Sequence, residues 1–157
     1  MTSTTTAPVP TPTRTPLLPV AVGTFLGTCA FTALGVFGDG TEGATHSATD
    51  VLVVAAVAAV ATGVIFGIVV PRVQSSRRAA GVGLGLSLVG LLMVAVFWSG
   101  LTPALAAGGI VLGATARRAG QRPGMGGAAV AVGALALVGY VAIYALDWLS
   151  THNIGAF

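Results

Sequence analysis

Six side chains in this sequence could bind a divalent metal or move a proton near neutral pH: Asp39, Glu42, His46, Asp50, Asp147 and His152. Imidazole nitrogens and carboxylate oxygens are the donors such ions take. The spacing works against a site. Asp39, Glu42 and His46 fall in a Gly-rich polar stretch, GDGTEGATHSAT at Gly38 to Thr49, and His152 is separated from them by most of the chain. No fixed ligand spacing results, so these residues read as solvated, with no metal and no cofactor. Cys29, the one cysteine, cannot form an intramolecular disulfide. Tyr140, Tyr144 and Trp148 follow at steps of four and so share one helix face. Membrane-interface anchoring or packing explains that face better than ligand stacking.

The elements that carry these groups are defined by charge. The 157 residues include seven arginines and no lysine, 55% are hydrophobic and only 7% charged, and mean hydropathy is +0.95. A soluble domain carries about 25% charged residues, so this chain has lipid as its main solvent. A net charge of +3 and a pI near 10.0 would hint at nucleic acid in a soluble protein. Here the arginines are topogenic instead and no nucleic acid is expected. Arg14, Arg72, Arg77, Arg78, Arg117, Arg118 and Arg122 flank alternate ends of long apolar runs, and the acids and histidines flank the opposite ends. Cytoplasmic loops keep Lys and Arg, so the pattern fixes an orientation.

The expected fold is an all-α membrane protein of five transmembrane helices in a single polytopic domain, residues 17–157, in the inner (plasma) membrane. The N-terminus is inside and the C-terminus outside. Residues 1–16, MTSTTTAPVPTPTRTP, form a Thr/Pro tail with little to bury and are expected to be disordered and cytoplasmic. The spans fall at about 17–37, 51–70, 79–98, 101–116 and 126–146. Leu17 to Phe37 has 21 residues, enough at about 1.5 Å each to cross a hydrocarbon core of about 30 Å, and it reads as a retained span rather than a cleaved signal. Thr49 or Asp50 should cap the second span and Pro71 should end it. The fourth is the shortest. Thr102 suits its N-cap and Pro103 its first turn, and a re-entrant path would put Arg117, Arg118 and Arg122 with the acids. Trp98 and Trp148 then fall at the outer boundary.

Four spans carry a Gly-x-x-x-Gly pair: Gly23/Gly27, Gly63/Gly67, Gly81/Gly85 and Gly109/Gly113. Glycines four apart share a face and let two backbones approach, which supplies in lipid the packing that the hydrophobic effect does not. The arginine clusters Arg72, Arg77, Arg78 and Arg117, Arg118, Arg122 could also contact anionic lipid headgroups. No ionisable side chain lies inside a span, which argues against a proton relay, an ion pump or a membrane hydrolase. Hydroxyls such as Thr24, Thr28 and Ser87 remain available to line a path for a neutral solute. GVIFGIVVPR at Gly63 to Arg72 also aligns without gaps on GIVLGATARR at Gly109 to Arg118, a parallel internal echo.

Leu105 to Ile143 resembles a known family, the small integral-membrane domains of unknown function common in actinobacterial proteins. Those pair two helices around an LG-x-x-A-R-R turn, followed by a Gly/Arg stretch and a Gly/Ala-rich helix ending in Gly-Tyr. The matching residues are Leu112, Gly113, Ala116, Arg117, Arg118, Gly120, Arg122, Gly124, Gly133, Gly139 and Tyr140, and the span from Gly81 extends the likeness to roughly residues 81–143. The resemblance implies a membrane hairpin domain and no established activity. Functionally, the sequence reads as a non-enzymatic accessory, scaffold or assembly subunit, with the bilayer and other membrane subunits or itself as partners. The alternative is a small transporter or channel subunit for a neutral solute.

Overall fold

The computed structural model describes residues 16–37 and 48–153. Of these, 91% are helical and none is in a strand. The expected tail, apart from Pro16, and Asp39, Glu42 and His46 lie outside the described residues.

Helix α1 is Leu17–Phe37. Helix α2 runs from Ala48–Val64 through a π turn, Ile65–Val69, into a last turn, Val70–Val73. Helix α3 is Ala79–Leu92 and tightens into a 3-10 stretch, Met93–Ser99. Helix α4 is Leu101–Arg118 and α5 is Pro123–Asn153. Four helical stretches are long and apolar enough to cross a membrane: Leu17–Leu34, Val51–Val73, Ala79–Val96 and Pro123–Ser150. Helix α4 is of spanning length at 18 residues but less apolar.

The boundaries correct the sequence reading at four places. Helix α2 begins at Ala48, so Thr49 and Asp50 sit in its first turn and not before it. Pro71 does not end α2. A proline inside a helix lacks a donor and its ring presses on the carbonyl four residues back, here that of Gly67. The π turn immediately before it widens the backbone over that stretch, and the helix continues for another turn. The third span is not α-helical throughout: Val96 leaves helical geometry at φ −121° and ψ 48°. The chain must reverse there without a loop, and Gly100 makes the reversal in the left-handed region at φ 69°. Finally, α5 is 31 residues long, about 46 Å, against an expected span of 126–146. Pro123 opens it as a first-turn proline, and no glycine or proline follows Leu146 until Gly155, so the helix outlasts its apolar stretch.

Contacts fix the helix directions. Gly83 of α3 faces Gly109 and Gly113 of α4, while Gly90 faces Ala106, so α3 and α4 are antiparallel. Gly113 faces Gly126, and Gly133 faces Ala106, so α4 and α5 are antiparallel too. Helices α3, α4 and α5 pack extensively on one another, whereas α1 and α2 pack chiefly as a pair against one side of α4. A core of Ile65, Phe66, Val70, Ala79, Ala80, Ala104, Val111, Leu112 and Ala116 joins the two groups.

Candidate functional site

The closest packing runs along seams of small residues. On α3 the buried positions include Ala80, Gly83, Ser87 and Gly90; on α4, Thr102, Ala106, Gly109, Gly113 and Ala116; on α5, Gly126, Ala129, Gly133, Ala136 and Tyr140. Steps alternate between three and four, the spacing that keeps one seam turned to a partner helix. Small side chains along it let the backbones meet. A Cβ on Gly109 would collide with Ser87 Oγ and lie 2.7 Å from the Gly83 carbonyl oxygen. One on Gly113 would lie 2.7 Å from the carbonyl oxygen of Gly126. Ser87 ties the seam together, its hydroxyl donating to the Ala129 carbonyl at 2.7 Å. It is therefore a strut between α3 and α5, not a pore-lining group.

The Gly-x-x-x-Gly positions divide. Gly109 and Gly113 stand in the seam. Gly81 is exposed, with only the Met125 sulfur near its missing Cβ, at 3.9 Å, and Gly23, Gly27, Gly63, Gly67 and Gly85 face open space within this chain. The glycines that do meet other helices closely include Gly83, Gly90, Gly108, Gly126 and Gly133, none of which the four-residue pattern singled out. Mixed small residues at alternating steps of three and four were the readable signal, hidden because Ala and Ser interrupt the glycines. The internal echo separates in the same way: Gly63 is exposed, and its counterpart Gly109 is buried.

Arg72, Arg77, Arg78, Arg117, Arg118 and Arg122 are all exposed. The antiparallel packing gathers the ends that bear them, since Arg117 of α4 lies against Gly126 near the start of α5, and Gly81 near the start of α3 lies by Met125 of α5. Arg72 folds back, its guanidinium donating to the Ile68 carbonyl at 3.3 Å, as suits a cation at a helix C-terminus. Arg122 is held in the left-handed region at φ 45°.

A cleft of about 260 Å³ opens between α1, α4 and α5, lined among others by Gly27, Thr28, Phe31, Pro103, Ala107 and Tyr140. Thr24 and Thr28 reach it, and Thr32 continues their face of α1. The three hydroxyls donate to the carbonyls of Val20, Thr24 and Thr28 at 2.7, 2.9 and 2.9 Å. Such back-bonding to the preceding turn satisfies a hydroxyl in an apolar setting. Phe31 and Tyr140 meet edge to face with centroids 6.1 Å apart, and Tyr144 stands 5.0 Å from Tyr140. The aromatic face predicted on α5 thus splits. Tyr140 is 2% exposed and Trp148 is 51% exposed. The Tyr140 hydroxyl is buried, and the Tyr144 ring packs beside its own with centroids 5.0 Å apart.

No protein-family model matches this sequence, and searches of curated proteins and of solved structures return no match.

Proposed function

We propose that the chain is a non-enzymatic, multi-pass protein of the inner (plasma) membrane that serves as an accessory or scaffold subunit. It crosses five times, N-terminus inside and C-terminus outside, with α4 as the fourth crossing and the exposed arginines meeting anionic headgroups on the cytoplasmic face. The observation that carries the scaffold reading is the unequal use of glycine. Gly83 and Gly90 of α3, Gly109 and Gly113 of α4 and Gly126 and Gly133 of α5 meet backbone of a neighbouring helix, whereas Gly23, Gly63 and Gly67 are exposed and turn open backbone outward, the surface on which another membrane helix packs best. The likeness of the stretch from about 81 to 143 to small actinobacterial membrane domains agrees with a membrane hairpin at the centre.

Two experiments test this. Reporter fusions at residues 45 and 157 read external, and those at 75 and 120 cytoplasmic; an external reading at 120 leaves four crossings and removes the five-helix topology. Purification in mild detergent yields a stoichiometric assembly that Gly63→Leu with Gly67→Leu dissolves without unfolding the chain. A lone monomer before and after the substitutions ends the scaffold reading. Passage of a neutral solute is the second reading, favoured by the cleft with its threonine hydroxyls, and solute flux in liposomes of the purified chain is its measure.

A further inference from the structure

We propose that the end of the protein where α3 and α5 begin binds one phospholipid carrying two phosphates, one held by the turn before α3 and the other by the turn before α5. This deepens the reading of that end as headgroup-facing and rests on it.

Five guanidinium groups meet there with no carboxylate to neutralise them. Arg77 and Arg78 lie immediately ahead of α3, Arg117 and Arg118 close α4, and Arg122 immediately precedes α5. All are exposed, and none has an acidic partner among the described residues. Asp50 and Asp147 belong to the opposite ends of α2 and α5, and the other two acids, Asp39 and Glu42, come in sequence just before the Asp50 end of α2. Arginine cannot shed its charge by losing a proton, so the neutralising anion comes from another molecule. Helix direction sharpens this. A cation is favoured at a helix C-terminus and disfavoured at an N-terminus. Arg117 and Arg118 take the favoured position, whereas Arg77, Arg78 and Arg122 stand before helix starts. Orientation in the membrane needs positive charge on that side and is indifferent to which helix end carries it. The three arginines set against the helix field therefore mark where a bound anion offsets it.

Position points to two phosphates on one molecule. Helices α3 and α5 are parallel, since each is antiparallel to α4. The Ser87 hydroxyl reaches the Ala129 carbonyl, and Gly81 lies by Met125. Arg78 is three residues before Gly81, and Arg122 is three before Met125. The two therefore stand at one level on adjoining helices, whose axes lie about 8–10 Å apart. Arg117 joins Arg122, its side-chain stem lying against Gly126. The result is two clusters side by side, Arg77 with Arg78, and Arg117 with Arg118 and Arg122. Each suits one phosphate, which arginine binds through paired N–H donors. Two phosphates tethered in one molecule fill both clusters, because the second contact forms within an existing complex. The apolar stretch Ala79–Val96 begins beside Arg78, and Pro123–Ser150 begins beside Arg122. Both clusters thus sit at headgroup depth, where basic pockets between membrane helices hold lipids of this class.

The test titrates lipids into the full chain in mild detergent and counts bound molecules by native mass spectrometry. The probes are tetraoleoyl cardiolipin, dioleoylphosphatidylglycerol and dioleoylphosphatidylcholine. Cardiolipin should bind at one per chain, about tenfold or more tighter than phosphatidylglycerol at equal phosphate. Arg78→Gln combined with Arg122→Gly should erase that preference. Both side chains are exposed and glycine suits the left-handed backbone at 122, so the fold, followed by size exclusion, is kept. Arg72→Gln should retain the preference, because that guanidinium already serves the Ile68 carbonyl. Equal binding of cardiolipin and phosphatidylglycerol, both above phosphatidylcholine, overturns the proposal and leaves the headgroup reading standing. A preference that survives the double substitution overturns it too. Binding of neither anionic lipid above phosphatidylcholine ends both. Displacement of cardiolipin by an equal concentration of inorganic pyrophosphate would assign the site to a soluble diphosphate and overturn the lipid.

Discussion

The Gly109/Gly113 pair of α4 and the Gly23/Gly27 and Gly63/Gly67 pairs of α1–α2 carry the same glycine motif and use it in opposite ways. In the three-helix group, Gly109 and Gly113 are pressed against the backbones of α3 and α5, with Gly83 and Gly126 on the facing sides. In the hairpin, Gly23, Gly27, Gly63 and Gly67 have nothing within 4 Å of where a side chain would begin. There the buried positions include larger side chains: Ala58, Thr62, Ile65, Phe66 and Val70 on α2, and Thr28 and Thr32 on α1. A glycine pair is thus only half of a packing site. It becomes a close contact where the facing helix is also small at the matching height, because the closest approach of two backbones is set by the bulkier side.

That contrast is open to test. The largest effect is expected from neighbours two residues apart: Gly83→Leu should abolish a folded, monodisperse species in detergent, and Gly85→Leu should leave it intact. Gly109→Leu and Gly113→Leu should behave as Gly83→Leu does, each exceeding the about 3 kcal/mol upper end of ordinary overpacking because the new atoms meet backbone. Ala107→Leu, beside the cleft, should be far milder. Size-exclusion profiles and thermal scans check all five, and equal harm at 83 and 85 would break the distinction between glycines in close contact and glycines that face open space. Next comes Gly100, where the regions touch. Its Cβ would lie 3.0 Å from Val54 of α2 and 3.3 Å from Thr28 of α1, and a left-handed backbone costs an alanine about 1–2 kcal/mol. Gly100→Ala should therefore lower stability by at least that much in a denaturant titration. Ser87→Ala removes one buried hydrogen bond and should cost about 1 kcal/mol, measurable as a lower midpoint in the same titration. The smallest effect has the opposite sign. Arg122→Gly relieves a left-handed arginine outside the seam and should raise stability by up to about 1 kcal/mol after glycine's entropy is charged.

Helix number and the start of α1 were legible in the sequence, since apolar length and arginine spacing follow from lipid alone. The closest packing was not, for a definable reason. Searching for glycines four apart selected Gly81 and Gly85 and passed over Gly83, Ser87 and Gly90, whose steps of four and three carry α3 against its neighbours. Which face turns inward depends on the partner helix, and no single helix records that. The termini of α2, α3 and α5 escaped because backbone geometry, not hydropathy, decides them: a π turn absorbs Pro71, Val96 breaks α3, and α5 persists into polar sequence. The burial of Tyr140 was hidden for the same reason as the seam. Its surroundings come from α1, more than a hundred residues earlier in the chain.

The position of α4 carries a consequence for how the protein is made. Thr102, Pro103, Gly108, Gly109 and Gly113 are all buried there, and each makes the helix a poorer solute in hydrocarbon than its neighbours. A segment handed singly to the bilayer by the insertion machinery is weighed on its own apolarity, and α4 is the least apolar of the five. Its polar and glycine surface is sheltered only once α3 is in place on one side and α5 on the other. Coupled biogenesis across the last three helices is therefore the expectation: α4 would be held stably in a bilayer only once the residues from Pro123 onward have been synthesised and can pack against it.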